Sequence, residues 1–332
     1  CSVPSGLWRR AAAPLLRSAS TYRTQAYLIT IGEGIPEVDL DRPGPLLAPT
    51  MPSLRRLAFG VDDGSGLHPD WTMAGLLSGA ERVGQDVLAA AEDTVSPADP
   101  MVIVHTSGST SEPKGVLHTH GALIRHLDNL NQLRRYTPDD VLFSNSPFFW
   151  IGGFAYALLG TLVAGAELVC SASADAADVL DLIERERPTM VNGFAASVAH
   201  LPQDPTFASR DLSSIRRGNL YPIMAPAVRP ADPELRHNML GMTEAGSVCL
   251  ASEDESEQLE HRRGSFGRPV PGFEAEVRAS GELWFRGPFL FEGYDGRERH
   301  ETFDPDGWFA TGDMVDVDED GFFYFRGRAG DR

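Results

Sequence analysis

The run from Met101 to Leu117 (Met-Val-Ile-Val-His-Thr-Ser-Gly-Ser-Thr-Ser-Glu-Pro-Lys-Gly-Val-Leu) constrains the fold more than any other stretch of this chain. It opens on an apolar segment, Met101 to Val104, that reads as a strand, and passes at once into a loop of glycines, hydroxyl side chains and one lysine. Backbone N–H groups without side-chain bulk, together with Thr106, Ser107, Gly108, Ser109 and Thr110, can wrap the oxygens of a polyphosphate, and Lys114 adds a point charge. The order is not that of a Walker A loop, where the lysine follows the second glycine and precedes Ser or Thr. Here Lys114 precedes Gly115 and Val116 comes next.

Strand and helix patterns alternate on either side of this loop. Residues 54–61 read as a strand, 73–91 as a helix, and 120–134 as a helix following the loop. Val141 to Phe143 reads as a strand, 153–164 as an apolar helix, Ala166 to Cys170 as a strand. Residues 175–187 carry Val179, Leu180 and Ile183 at helical spacing and stop at Pro188, and Met190 to Asn192 is a short strand. The prolines at 36, 43, 45, 49 and 52 make residues 36–53 an extended connector. Such alternation predicts an α/β fold with a largely parallel sheet over residues 1–263. From 264 the texture changes to period-two runs separated by glycine turns, Phe273 to Arg278 and Glu282 to Arg286, then a hairpin from Met314 to Phe325 turning at Asp320-Gly321. Residues 264–332 are therefore expected to form a small β-rich subdomain.

Composition excludes several classes of function. Net charge is −18, from 47 acidic and 29 basic residues, with no basic stripe, so nucleic acid is a poor partner. No apolar run is long enough to span a bilayer. The three cysteines, Cys1, Cys170 and Cys249, lie far apart without Cys-x-x-Cys spacing, which fits a reducing cytoplasm. The first 24 residues are rich in Ala, Ser and Arg, lack an acidic side chain and do not begin with Met. They have some likeness to a transit peptide; the expectation here is a chain that begins inside a larger reading frame.

Three further motifs follow the loop. Gly241-Met242-Thr243-Glu244 places a hydroxyl beside a carboxylate. Asp306 to Asp313 ends in Thr311-Gly312-Asp313, and Gly327-Arg328 comes fifteen residues after that. With the Thr-Ser-Gly-Ser-Thr-x-x-Pro-Lys-Gly loop, and in this order over residues 105–331, the set resembles the adenylate-forming (AMP-binding) superfamily, most like a fatty-acid–CoA ligase. The resemblance implies the family's large domain, incomplete here, with its small C-terminal domain absent and the chain ending at the hinge. It implies ATP-dependent activation of a carboxylic, expected to be fatty, acid to an acyl-adenylate, followed by transfer to coenzyme A.

The roles implied are these. Lys114 and the loop from Thr106 to Thr110 hold the phosphates. Thr243 contacts the α-phosphate, with Gly241 and Met242 beside the nucleotide, and Glu244 holds Mg²⁺, since a hard cation between phosphates wants a carboxylate oxygen. Asp313 and Arg328 fix the ribose side. Ser146 to Gly153 occupies the place of an aromatic motif lining the acyl pocket, which points to Phe149, Trp150, Gly152 and Gly153; buried packing of the same aromatics is the alternative. Two departures stand out: Leu240 replaces the aromatic residue expected to stack on adenine, and Gly218 to Pro222 matches the adenine-side motif poorly. Two other functions stay open, a nucleotide- or adenylate-binding module without turnover, and an acyl-AMP ligase that loads a carrier protein.

Other patterns carry less. Asp316 to Gly321 opens like a calcium loop, but the twelfth position is Gly327 instead of a bidentate carboxylate. His118-x-His120 lacks a third ligand for zinc. His105 is expected to pack where relatives have an aromatic residue.

Overall fold

The computed structural model describes residues 13–22, 25–60, 66–106, 113–236, 238–252 and 257–330. The chain forms two compact units, residues 1–95 with 109–113, and residues 96–108 with 114–332.

In the first unit, strand β1 (Leu15–Ala19) runs parallel to β2 (Arg56–Gly60). Helix α1 (Tyr27–Gly34) leads into the proline-rich connector, where no helix forms. The connector is nonetheless a packed element: its Leu46, Ala48, Met51 and Leu54 join Ile31, Ile35, Leu57, Phe59 and Trp71 in one core. The Trp71 indole N–H donates to the Arg42 carbonyl at 2.7 Å, which ties the connector down. The helix expected at 73–91 is two helices, α2 (Met73–Leu77) and α3 (Gln85–Glu92). Gly79 and Gly84 lie in the break, and Gly84 adopts extended φ/ψ as the cap of α3; a glycine in a helix interior costs about 1 kcal/mol against Ala.

The second unit opens with β3 (Pro100–Thr106) and β4 (Lys114–Thr119), an antiparallel pair in which Thr106 stands opposite Lys114. Helix α4 (His120–Leu133) starts at Thr119, whose hydroxyl accepts from the Ala122 N–H, and buries Leu123, Leu127 and Leu130 at helical spacing. The parallel sheet follows: β5 (Val141–Ser144), a π-helical segment Gly152–Leu159 continued by α5 (Gly160–Ala164), β6 (Glu167–Val169), α6 (Ala176–Glu186), β7 (Met190–Asn192) and β8 (Arg217–Gly218). Strand order is β8-β7-β5-β6, all parallel. Asp175 caps α6 by accepting from the N–H groups of Ala177 and Asp178; Arg187 in the left-handed region ends it before Pro188.

Beyond the parallel sheet lie β9 (Leu240–Met242), β10 (Ser247–Ala251) and β11 (Arg268–Pro269), antiparallel in that order. A four-stranded antiparallel sheet joins β12 (Glu274–Val277), β13 (Glu282–Arg286), β15 (Phe309–Val317) and β16 (Phe323–Arg328). The segment between β13 and β15 includes β14 (Gly293–Tyr294), which leaves that sheet and pairs antiparallel with β4, Tyr294 opposite Val116. A cluster of phenylalanines (Phe273, Phe285, Phe291, Phe303, Phe309) fills the core beneath these strands. No helix among the described residues is long and apolar enough to cross a membrane.

Candidate functional site

The β4–β14 pairing builds the centre of the site. It places the Tyr294 ring 5.0 Å from Lys114 Nζ and lets the Tyr294 hydroxyl donate to Glu244 Oε1 at 2.8 Å. The Phe291 N–H donates to the Glu244 carbonyl at 2.9 Å, so the backbone carrying Glu244 is fixed from the same segment. Burial and the adjacent Glu244 carboxylate push the Tyr294 phenol well above its ordinary range, which keeps it a hydrogen-bond donor.

Thr243 and Glu244 lie in a short turn between β9 and β10 that closes at Gly246 with φ +72°. His118, fully buried on β4, has Nε2 2.7 Å from the Thr243 carbonyl. A carbonyl only accepts, so Nε2 carries the proton; Nδ1 is buried without a partner. Burial lowers the His118 pKa to about 4, the Thr243 bond opposing, and the ring is neutral at pH 7. The motif His-x-His thus yields a structural prop under the Thr243 backbone, with His120 starting α4.

Asp313 lies on β15 opposite Arg328 on β16, the pair being 3% and, at the arginine side chain, 60% exposed. Arg328 Nε is 2.7 Å from Asp313 Oδ1, yet the approach lacks hydrogen-bond alignment and Oδ1 remains a buried acceptor without a donor. Burial raises the Asp313 pKa; Arg328 opposes this, and Glu244 and Glu282 reinforce it. Arg328 is also among the charges felt by Tyr294. Lys114, Glu244, Tyr294, Asp313 and Arg328 therefore share one electrostatic neighbourhood. The backbone under Asp313 is pinned: its N–H donates to Thr311 Oγ1 at 3.0 Å, Thr311 donates to the Leu283 carbonyl at 2.7 Å, and the Gly312 N–H donates to Glu282 at 3.0 Å.

Of the expected phosphate loop, Thr106 and Lys114 stand opposed at its two ends, while Ser107, Gly108, Ser109 and Thr110 lie outside the described residues. Near β9 a cavity of about 210 Å³ is lined by Trp150, Gly152, Gly241, Met242, Phe194 and Asn192 among others. Trp150 stacks on Phe194, ring centroids 4.8 Å apart. Phe149 is 74% exposed, and Gly153 is buried in the helix start, where a Cβ would meet the Pro147 carbonyl oxygen at 2.1 Å. His105 is exposed on β3. In the acidic hairpin turn, Asp318 caps the chain by accepting from Asp320 and Phe322, and Asp316 pairs with Arg326. No cluster of three or more His, Cys, Asp or Glu able to hold a metal occurs among the described residues.

Sequence reasoning missed the Tyr294 hydroxyl and the His118 prop. Nothing in the sequence told that Gly293-Tyr294 would form a two-residue strand returning to β4.

A parallel sheet, and a strand pairing in which Tyr294 lies between Lys114 and Glu244 near the buried Asp313, fit the large domain of an adenylate-forming enzyme. The chain matches the AMP-binding enzyme family over residues 59–295 and belongs to it. It is 30% identical to an indoleacetate–CoA ligase of Aromatoleum aromaticum (strain DSM 19018 / LMG 30748 / EbN1) over 263 residues, 75% of this chain and 51% of that one. It is 29% identical to the mitochondrial medium-chain acyl-CoA ligase ACSF2 of Mus musculus, covering 93% of this chain and 54% of the relative. The fold is that of an anthranilate CoA ligase, AuaEII, solved with anthranoyl-AMP, at TM-score 0.71 and 22% identity, covering 99% of this chain and 61% of that one. The chain spans about half the length of these two curated relatives.

Proposed function

We propose that this chain is the nucleotide- and acid-binding core of an AMP-forming acid–thiol ligase, which joins a carboxylic acid to ATP as an acyl-adenylate and passes the acyl group to coenzyme A. The observation that carries the reading is the buried Asp313 carboxylate, held on a pinned backbone beside Arg328 with Oδ1 lacking a donor. A pair of ribose hydroxyls supplies the donors such a carboxylate lacks, and leaving a buried acceptor unmet costs about 1–3 kcal/mol.

The other residues take complementary parts. Lys114 and the loop from Thr106 to Thr110 would bind the phosphates, and the buried Thr243 hydroxyl would contact the α-phosphate, its backbone fixed by His118. Glu244 has one carboxylate oxygen taken by Tyr294 and would offer the other to Mg²⁺. A single protein carboxylate suits this ion, which completes its shell with water and substrate phosphate. When bound, it would supply charge neutralisation at the phosphates. In the adenylation step the substrate carboxylate oxygen would attack the α-phosphorus and pyrophosphate would leave. Catalysis would rest on positioning and on charges already in place. Thiol attack on the acyl carbon would then release AMP.

The acid would enter the cavity lined by Trp150, Gly152, Gly241 and Met242. Its walls are largely apolar, which supports fatty or aromatic acids alike, and relatives named for each are found. With its buried thiol Cys249 and exposed thiol Cys170 both free, the chain suits a reducing cytoplasm.

The test is carboxylate-dependent exchange of labelled pyrophosphate into ATP across aliphatic and aromatic acids, with thioester formation on coenzyme A read alongside. Exchange and coenzyme A thioester support the ligase. Exchange with acyl transfer to a carrier protein alone would convert the reading to an acyl-AMP ligase. No exchange, with adenylate analogues still bound, would make the chain a binding module.

A further inference from the structure

A second cavity, of about 130 Å³, adjoins the one lined by Trp150: Tyr156, Asn192, Met239 and Val248 line both. Among the described residues its lining includes three arginines, Arg134, Arg217 and Arg236, and no Asp or Glu. On a chain of net charge −18 this is an unusual concentration of one sign. Arg217 is engaged: it donates to the Arg135 carbonyl at 3.0 Å and pairs with Asp140 at 3.5 Å. Arg134 has its guanidinium 4.0 Å over the Tyr156 ring and 5.0 Å over Tyr136, an arrangement that leaves its N–H edge for another acceptor. Arg236 goes further, for its Nε is buried with no hydrogen-bond partner.

A buried guanidinium N–H without an acceptor is costly, and the group it fits best is a planar carboxylate that accepts two parallel hydrogen bonds. Resting on the function proposed above, we infer that the preferred acid carries a second anionic group: its reacting carboxylate lies in the cavity by Trp150 and its far carboxylate reaches Arg236, with Arg134 alongside. The unbranched Met239 side chain, common to both cavities, can adapt to the substrate's midsection.

The experiment measures calorimetric affinities of the full chain for non-hydrolysable acyl-sulfamoyl-adenosines. Diacid derivatives from succinyl to suberoyl are each compared with the monoacid counterpart, butanoyl to octanoyl. At least one diacid analogue should bind about tenfold or more tightly than its counterpart, about 1.4 kcal/mol. Arg236→Met should erase that difference while leaving monoacid affinity unchanged, and Arg236→Lys should keep part of it. Monoacids binding as well as diacids at every length would overturn the inference, even where Arg236→Met fails to fold, because that comparison uses the unaltered chain. Equal loss for both classes in Arg236→Met would also overturn it. If no analogue of either class binds, the proposed function itself fails.

Discussion

Acidification should unfold this protein through two histidines, because the fold buries both as neutral rings. His118 and His126 are fully buried. His126 lies between Phe289, stacked at 5.2 Å, and Phe273, edge-on at 5.1 Å. Neither of its nitrogens meets hydrogen-bond geometry, although the Val248 carbonyl is near enough to act electrostatically. Burial lowers each pKa from 6.5 to about 4, with His118 adding to the shift on His126. The unfolded chain therefore binds more protons between these two values, so stability rises with pH there. The contribution is fully present above about pH 6.5 and is lost as pH falls toward 4. Shifts of this size cost about 2 kcal/mol per histidine at pH 5, about 4 kcal/mol for both, against a typical total of about 5–15 kcal/mol. Urea unfolding at pH 7.5, 6 and 5 measures this directly. His126→Leu should remove about half of the pH-dependent loss, since a leucine has no proton to gain. The same loss in His126→Leu and in His118→Asn as in the parent would refute the reasoning, because the protons would then be taken up elsewhere.

Other expectations follow from single contacts. Gly153→Ala puts a methyl against the Pro147 carbonyl and should lower stability by about 1–3 kcal/mol in urea unfolding, with a loss of adenylate-analogue affinity through displacement of Trp150. Tyr294→Phe removes the donor to Glu244; tighter demand for Mg²⁺ in nucleotide binding, seen as a changed Mg²⁺ titration midpoint, is expected without a change in fold. Leu127→Ala, at a fully buried position of α4, should cost about 2–5 kcal/mol in the same unfolding assay.

Much of the fold was legible because its signals are local. Helix α6 announces itself through Asp175, the Val179–Leu180–Ile183 spacing and Pro188, and β5, β6 and β7 through short apolar runs. The single helix expected at 73–91 failed on glycine: apolar spacing continued across Gly79 and Gly84, but the backbone turned there. Candidate site residues stood out in the sequence where they are contiguous, as at Thr243-Glu244 and Thr311-Gly312-Asp313. They did not where pairing between distant segments decides contact. Tyr294 meets Glu244 across fifty residues because a two-residue strand returns to β4, and no period betrays a strand that short. His118-x-His120 offered no third ligand for zinc, and nothing in the sequence pointed to the partner His118 has, a backbone carbonyl 125 residues away. Arg236 carries no motif at all.

The central claim is a formed adenylate pocket around Asp313. Its most direct test is thermal unfolding of the chain with and without hexanoyl-sulfamoyl-adenosine and Mg²⁺, beside Asp313→Ala. Ligand at 100 times its dissociation constant should stabilise the parent by about 2.7 kcal/mol, and the Asp313→Ala chain should lose most of that shift. A cooperatively unfolding parent that shows no shift, or an equal shift in both chains, would contradict the account.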